Sequence, residues 1–129
     1  MKSIIINFSG HTLCEKTKKS LSNKYDIFLE VPPFTFDFDN EVEGQLEGLF
    51  REIDYIIDGS SALTIIPPGQ STFSILLVSY LHGLTGHFPK ICYLEMNADG
   101  LYLPKTEYDI SAQRVRSAGR RFRREIYQA

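Results

Sequence analysis

Cysteine, histidine and tryptophan are scarce in this chain of 129 residues, which has two cysteines, three histidines and no tryptophan. Two cysteines do not make a disulfide framework, and neither Cys14 nor Cys92 belongs to a metal-binding motif. The acidic residues show no metal-ligand spacing either. We therefore expect neither a structural metal nor a disulfide-stabilised fold.

Long apolar runs are also missing. The longest apolar stretch, residues 73–84, is interrupted by serine, tyrosine and histidine and is too short to span a bilayer. The N-terminus has no basic segment followed by an apolar run and a cleavage site, which is the pattern of a secretory signal. The sequence therefore predicts a cytoplasmic protein with no membrane partner.

Two glycine-rich phosphate motifs are absent as well. Neither the GxGxxG fingerprint of dinucleotide-binding folds nor the GxxxxGK[ST] phosphate loop follows a predicted strand of this chain. We therefore expect no dinucleotide or nucleoside triphosphate cofactor, and the sequence indicates no other cofactor.

The formal net charge of −2 conceals two segments of opposite sign. Residues 37–58 carry eight acids against the single base Arg51, and residues 110–129 carry six arginines against the single acid Glu125. Opposite charges on one small domain favour internal packing or self-association, giving a homodimer or a higher assembly through the acidic helix and the arginine-rich helix. The slightly negative total disfavours general DNA binding, so an RNA-binding arginine helix is the weaker alternative.

Strand and helix patterns alternate along the chain. Short apolar runs predict strands, and the segments of helical periodicity between them predict crossover helices. The alternation predicts one domain, residues 1–129, of the α/β class: a Rossmann-like three-layer sandwich with a mainly parallel sheet and a basic C-terminal helix at about 110–128. The predicted strands are 4–8, 25–30, 63–66 and 90–96, then an extended segment at 101–108; the predicted helices are 12–23, 40–57 and 72–82, and the last helix begins at Asp109 or Ser111.

Local signals refine these elements. Thr12 and Glu15 have the spacing of a capping box that opens the first helix. Ser71 and Thr72 offer hydroxyls to cap the third helix, which is apolar nearly all the way round and so must be covered by other elements. An extended piece with one buried edge is predicted where phenylalanine alternates with polar residues, at Phe34, Phe36 and Phe38.

The switch in strand order predicts where a ligand binds. Ligands of open α/β sheets lie outside the carboxyl ends of the strands, at the point where the order reverses. With the strand order 2-1-3-4, two loops meet there: Ser9-Gly10-His11 and Gly69-Gln70-Ser71-Thr72. Their backbone N–H groups suit an anion, and Gln70 has the amide geometry that pairs with adenine. A strand–helix turn that needs glycine for its backbone angles explains the first loop equally well.

Other chemistry-bearing side chains favour structural roles. His82 and His87 flank a glycine-rich helix end at the amino edge of the predicted sheet, where interaction with the helix end and loop packing explains them. Cys14 lies in the predicted first turn of a helix, where the dipole can lower a thiol pKa, but no histidine or asparagine partner has a recognisable spacing. We interpret Cys14 as a small buried residue.

Three motifs together resemble a known family. They are Asn7-Phe8-Ser9-Gly10-His11, Pro67-Pro68-Gly69-Gln70-Ser71 and the longer Leu81-His82-Gly83-Leu84-Thr85-Gly86-His87-Phe88-Pro89. They resemble the small CRISPR-associated accessory proteins of type III systems, which are short, Rossmann-like relatives of the CARF ligand-binding domains. The resemblance covers about the first hundred residues, and the arginine-rich tail matches only in general character.

The resemblance implies a ligand and a site. The implied ligand is cyclic oligoadenylate, above all cyclic tetra-adenylate, bound across a two-fold dimer axis. We expect a protein that lowers the free concentration of this messenger by sequestration and so damps type III CRISPR signalling. The alternatives are a metal-independent ring nuclease with His11 as general acid or base, and a structural or RNA-binding accessory subunit. The implied ligand contacts are Ser9, Gly10, His11, Gly69, Gln70, Ser71, Thr72 and Asn97.

Overall fold

The computed structural model describes residues 1–110 and 113–128. It has five strands and four helices, so the predicted α/β class is confirmed. Asp109 ends a strand, so the last helix does not begin there, and the other predicted start, Ser111, lies outside the described residues. The elements in chain order are β1 Ser3–Asn7, α1 Glu15–Lys24, β2 Ile27–Glu30, α2 Val42–Arg51, β3 Ala62–Ile66, α3 Ser71–Thr85, β4 Lys90–Met96, β5 Tyr102–Asp109 and α4 Gln113–Tyr127.

The sheet has the order β2-β1-β3-β4-β5, which contains the predicted order 2-1-3-4 and adds β5 at the edge. The pairs β1–β2, β1–β3 and β3–β4 are parallel, and β5 pairs with β4 in the antiparallel direction. From β1 the chain passes to β2 at one edge of the sheet. It then crosses to the other side of β1, where β3, β4 and β5 follow in order. The layout is consistent with a Rossmann-like sheet whose switch point lies between β1 and β3.

Alternate residues of β1 fill two apolar clusters. Ile4 and Ile6 belong to one cluster with the buried residues of α2 and α3, whereas Ile5 belongs to a second cluster with Leu21 of α1. Successive side chains of a strand point to opposite faces of the sheet, so the two clusters lie on opposite faces. All three isoleucines are at most 1% exposed. This explains why three consecutive positions of β1, residues 4–6, are apolar rather than every second one.

The first helix begins later than the predicted capping box implies. Cys14, not Thr12, occupies the N-cap position, and it makes no side-chain capping hydrogen bond. Leu13 is 2% exposed and belongs to the cluster with Ile5, so the segment before the helix is held in place by burial. Burial of Leu13 thus overrides the local capping signal.

The second helix is shorter than predicted. It ends at Arg51 rather than Ile57, and the partly buried side chains beyond it are Ile53, Tyr55 and Ile57. These positions alternate, while Ile56 between them is 79% exposed, so the chain there does not follow helical periodicity. The apolar spacing that suggested one long helix arises from a helix followed by an irregular segment.

The predicted extended piece at Phe34–Phe38 is a loop outside the sheet. Only the middle phenylalanine is buried: Phe36 is 8% exposed and stacks on Phe73 of α3 with ring centroids 5.0 Å apart. Phe34 and Phe38 are 38% and 56% exposed. Phe36 is therefore the buried anchor of the segment, and Phe34 also contacts Phe73 with ring centroids 5.6 Å apart.

The third helix is covered on one face only. Phe73, Leu77 and Leu81 are its buried residues, whereas Ile75 is 70% exposed. The expectation of a helix enclosed on nearly all sides is therefore wrong. Gly86 ends the helix in the left-handed conformation at φ +79°, which glycine adopts without strain.

The β4–β5 hairpin extends beyond the rest of the sheet. β4 pairs with β3 at two positions only, up to Ile91, and continues as a hairpin with β5 to Met96. The hairpin curves over the first turn of α1, where the Thr17 hydroxyl donates to the Tyr102 carbonyl at 3.3 Å.

None of the helices in the described residues is both long and apolar enough to cross a membrane.

We predict that Leu77→Ala lowers the free energy of unfolding by about 2–5 kcal/mol, because Leu77 is fully buried and its removal leaves a cavity. The matched change two residues earlier on the same helix, Ile75→Ala, is expected to cost no more than about 0.5 kcal/mol because that side chain is exposed. Urea unfolding followed by circular dichroism measures both values. Equal losses for the two variants would contradict the assignment of the buried face.

Candidate functional site

Two loops leave the sheet from paired residues. β1 ends at Asn7 and β3 ends at Ile66, and these two residues are register partners. The Phe8 N–H donates to the Ile66 carbonyl at 2.9 Å, so the two segments remain hydrogen-bonded one residue beyond the end of β1. The loops that follow, residues 8–14 and 67–70, therefore start side by side at the carboxyl edge of the sheet. This is the meeting of loops that the strand order predicts.

The first loop is organised by the buried Asn7 side chain. Asn7 Oδ1 accepts from the Ser9 N–H at 2.9 Å and from the Ser9 hydroxyl at 2.6 Å, and Asn7 Nδ2 donates to the His11 carbonyl at 3.2 Å. The Ser9 hydroxyl in turn accepts from the His11 N–H at 3.1 Å. Gly10 has φ +76°, so the turn requires glycine. These bonds give the loop one shape before any ligand arrives.

The His11 ring lies on an aromatic neighbour. Its centroid is 4.0 Å from that of Tyr102 with an interplanar angle of 19°, so the two rings are stacked. His11 is exposed, and its imidazole nitrogens have no hydrogen-bond partner in the part of the chain that the structure describes. One face of His11 is thus supported by Tyr102, and the ring is held at the carboxyl edge by stacking.

The cap of the second loop differs from the expectation. Gln70, not Ser71 or Thr72, caps α3: its Oε1 accepts from the Phe73 N–H at 2.6 Å. A glutamine here reaches the third N–H of the helix because Gln70 itself is the N-cap residue with an extended backbone. The amide oxygen is therefore engaged, and paired hydrogen bonds from Gln70 to an adenine edge would break the cap.

The groups that remain at the start of α3 are suited to an anion. Ser71 and Thr72 are exposed, and their hydroxyls form no hydrogen bond within residues 1–110 and 113–128. Their N–H groups belong to the first turn of a helix, which has no intrahelical acceptor for them. Gly69 precedes this turn and is exposed, with open space where a Cβ would stand. Backbone N–H groups and hydroxyls thus face solvent together.

The electrostatic potential of the site comes from the backbone. α1 and α3 both begin at the carboxyl edge, because each follows a parallel strand, and the positive ends of their dipoles lie there. Neither loop motif contains lysine or arginine. The nearby Lys18 of α1 is paired with Glu30 at 3.4 Å. The arrangement favours a ligand that accepts several hydrogen bonds rather than one that needs a cationic side chain.

Cys14 is more accessible than expected. It is partly exposed at the N-cap of α1, so its interpretation as a buried residue is wrong. Its Sγ lies 3.2 Å from the Thr17 hydroxyl, which can turn to the thiolate from the Tyr102 carbonyl. Hydrogen bonding to Thr17 is the largest cause that lowers the pKa of the Cys14 thiol. Burial instead raises the pKa of the Cys92 thiol.

Asn97 closes the turn of the β4–β5 hairpin. Its Oδ1 accepts from the Asp99 and Leu101 N–H groups, both at 2.9 Å. The hairpin instead presents Tyr102, the register partner of Met96, to His11. The implied role of Asn97 as a ligand contact therefore has no support from its hydrogen bonds, which are those of a turn residue.

The histidines at the other end of α3 lie at the amino edge, as predicted. His82 packs against Phe88 with centroids 4.2 Å apart, and the Thr85 hydroxyl accepts from the His87 N–H at 3.2 Å. Gly59 passes so close that an added Cβ would lie 2.5 Å from the Thr85 carbonyl oxygen. These contacts close the end of the helix. The described residues contain no group of three or more potential metal ligands.

Two residues of the candidate site have roles that the motifs do not indicate. Asn7 is a polar residue at the end of a strand with three consecutive isoleucines, and it is only 2% exposed while its side chain organises the first loop. Tyr102 is distant in sequence and lies in a segment that was only predicted to be extended. No local signal pairs Tyr102 with His11, since the pairing depends on the curvature of the hairpin.

Comparison with protein-family models, with curated proteins and with solved structures finds no match to this chain. The chemistry of the site is therefore the guide to its function.

We predict that Cys14 is alkylated before Cys92 when the folded protein is treated with limiting iodoacetamide at pH 7. A lowered pKa gives Cys14 a larger fraction of reactive thiolate at this pH, whereas the Cys92 thiol is buried and its pKa is raised. Peptide mass spectrometry gives the alkylation rates of the two cysteines. The variant Thr17→Val is expected to slow the alkylation of Cys14, because it removes the hydroxyl partner of Sγ. Equal labelling of both cysteines would show that the α1 N-terminus is not arranged as described.

Proposed function

We propose that the protein binds cyclic oligoadenylate, chiefly cyclic tetra-adenylate, and lowers its free concentration by sequestration, which damps type III CRISPR signalling in the cytoplasm. The proposal takes the chain as a three-layer Rossmann-like sandwich with a basic C-terminal helix. The observation that carries it is the pairing of Asn7 with Ile66, which sets a preformed serine–glycine–histidine loop beside the open first turn of α3.

The phosphates of the ring have suitable partners at this edge. Ser71 and Thr72 are exposed, and their N–H groups and hydroxyls donate to no acceptor within the described residues. A phosphate placed there accepts hydrogen bonds from them and lies at the favourable end of the α3 dipole. Several neutral hydrogen-bond donors of this kind suit a ring with a regularly spaced phosphate backbone.

The bases have a stacking surface. The His11 ring is backed by Tyr102 at 4.0 Å and is exposed, so an adenine can stack on its free face without displacing a core residue. Stacking on aromatic rings is a common means of holding unpaired bases. This gives His11 a binding role that needs no proton transfer.

A homodimer completes the proposed site. A cyclic tetra-adenylate has two-fold symmetry, and a two-fold dimer presents two copies of each loop to it. One chain offers one helix N-terminus of α3 and one of α1 at this edge. Two chains facing each other would therefore contact all four phosphates.

Binding without cleavage fits the geometry of His11 better than catalysis. A general acid or base needs a fixed position relative to the proton it moves, which an orienting hydrogen bond usually supplies. The His11 imidazole is positioned by stacking alone within the described residues. Incubation with excess ring tests whether the protein cleaves it.

We expect calorimetric titration with cyclic tri-, tetra- and hexa-adenylate to show tightest binding of the tetra-adenylate ring, at one ring per two chains. Incubation with excess ring, without metal, is expected to leave it uncut when analysed by chromatography. Many turnovers to linear di-adenylate would show that the protein is a ring nuclease and would contradict sequestration. Absence of binding by all three rings, with salt-sensitive binding of RNA, would overturn the proposal in favour of an RNA-binding subunit.

We predict that Gln70→Glu weakens cyclic tetra-adenylate binding by about 5- to 30-fold, because it places a negative charge at the N-terminus of α3 beside the phosphates. The carboxylate retains an acceptor for the Phe73 N–H, so thermal stability is expected to be kept or raised. The control Asn23→Asp makes the same charge change near the opposite end of α1 and is expected to leave affinity within about twofold. Equal losses for both variants would contradict a site at the α3 N-terminus.

A further inference from the structure

The apolar stripe of α4 is exposed. Val115, Phe122 and Ile126 are 64%, 59% and 55% exposed, and with Gly119 they follow one another at intervals of four, three and four residues. At 100° per residue these positions form a single face of the helix. A helix with such a face is stabilised mainly by burying it, so we expect the face to pack against a partner surface.

A partly apolar groove lies beside α2. It has a volume of about 430 Å³ and is lined by Val31, Pro32, Pro33 and Phe34 on one side and by α2 on the other. Gly44 and Gly48, one helical turn apart, form part of the α2 wall. An added Cβ at Gly48 would meet nothing within 4 Å, whereas at Gly44 it would lie 2.8 Å from Glu41 Oε1. The groove is therefore open to a bulky apolar side chain at Gly48, and a carboxylate lies over its Gly44 end.

The two surfaces have opposite charge. Arg116 and Arg123 border the α4 stripe on one side, and Arg114 and Arg121 border it on the other, as helix geometry places them. Two acids lie at the groove: Glu52 lines it, and the Glu41 carboxylate lies over Gly44. Helix geometry places Glu43 and Glu47 on the outer side of α2, away from the groove. Neither Glu41 nor Glu52 has an ion-pair partner within the described ranges. Arginines that flank an apolar stripe and acids that flank an apolar groove match each other when the stripe enters the groove.

The connection to β5 is too short for α4 to fill the groove of its own chain. Three residues, 110–112, separate Asp109 from Gln113, and the four steps between these two residues span at most about 14 Å. β5 and β2 lie four strand spacings apart, which is about 19 Å, and the groove lies beyond the end of β2. The whole stripe therefore cannot lie along this groove within one chain.

We propose that α4 of one copy docks in the Val31–Phe34/α2 groove of a second copy, with Phe122 at the centre of the contact. Stripe and groove are different surfaces, so the contact is heterologous: it closes if two copies exchange α4 reciprocally and propagates into a chain if they do not. The interface uses neither loop of the ligand site, so it exists without cyclic oligoadenylate and does not depend on the proposed function.

A substitution that fills the groove tests this directly. Gly48→Leu is expected to make the ligand-free protein monomeric in sedimentation velocity, while its melting temperature stays the same or rises because leucine favours the helix more than glycine does. The control Gly83→Leu makes the same change on the exposed surface of α3, where a Cβ also meets nothing within 4 Å. It is expected to assemble as the wild type does.

A second variant removes the stripe. Phe122→Glu is also expected to be monomeric, and because it leaves α2 unchanged it keeps an intact groove. Mixing it with Gly48→Leu joins one intact stripe to one intact groove, so the mixture is expected to stop at a one-to-one dimer. A wild type that is monomeric at 100 μM, or variants that assemble as it does, would overturn the proposal. These results leave the ring titration unaffected, so the two proposals fail separately.

Discussion

The register between β1 and β3 is the constraint on which the rest of the structure depends. It pairs Asn7 with Ile66, so both loops of the candidate site start at one level of the sheet. The same register places Ile4 and Ile6 in one apolar cluster and Ile5 in the other. A slip of one residue would exchange the two faces of β1 and shift the Ser9–His11 loop relative to the start of α3. Core packing and loop position are therefore fixed together.

Charge is distributed so that the two proposed surfaces use different chemistry. The two loops of the candidate site have no lysine or arginine and offer N–H groups, hydroxyls and a stacked ring, whereas the arginines are concentrated in the α4 sequence. The two surfaces are joined by one backbone hydrogen bond. The Asn7 carbonyl accepts from the N–H of Val31, the first residue of the α2 groove, at 3.1 Å.

Periodicity and turn residues were sufficient to predict the class of fold. The meeting of the two loops followed once the strand order 2-1-3-4 was assumed, and the sheet has that order around β1. Local capping signals were less reliable, because burial of Leu13 delays α1 and Gln70 takes the capping role expected of Ser71. The stacking of His11 on Tyr102 had no sequence signal, since it depends on how the hairpin curves over α1. Tertiary packing, which local patterns do not encode, decides these details.

The central claim is that the carboxyl edge between β1 and β3 binds cyclic tetra-adenylate. The most direct test is an amide ¹H–¹⁵N spectrum of the protein recorded during titration with this ring. The account predicts the largest shifts at the N–H groups of Gly10, Ser71 and Thr72, together with Tyr102. Shifts concentrated at the amino edge, around Gly59 and His87, or the absence of any shift at saturating ring, would contradict it.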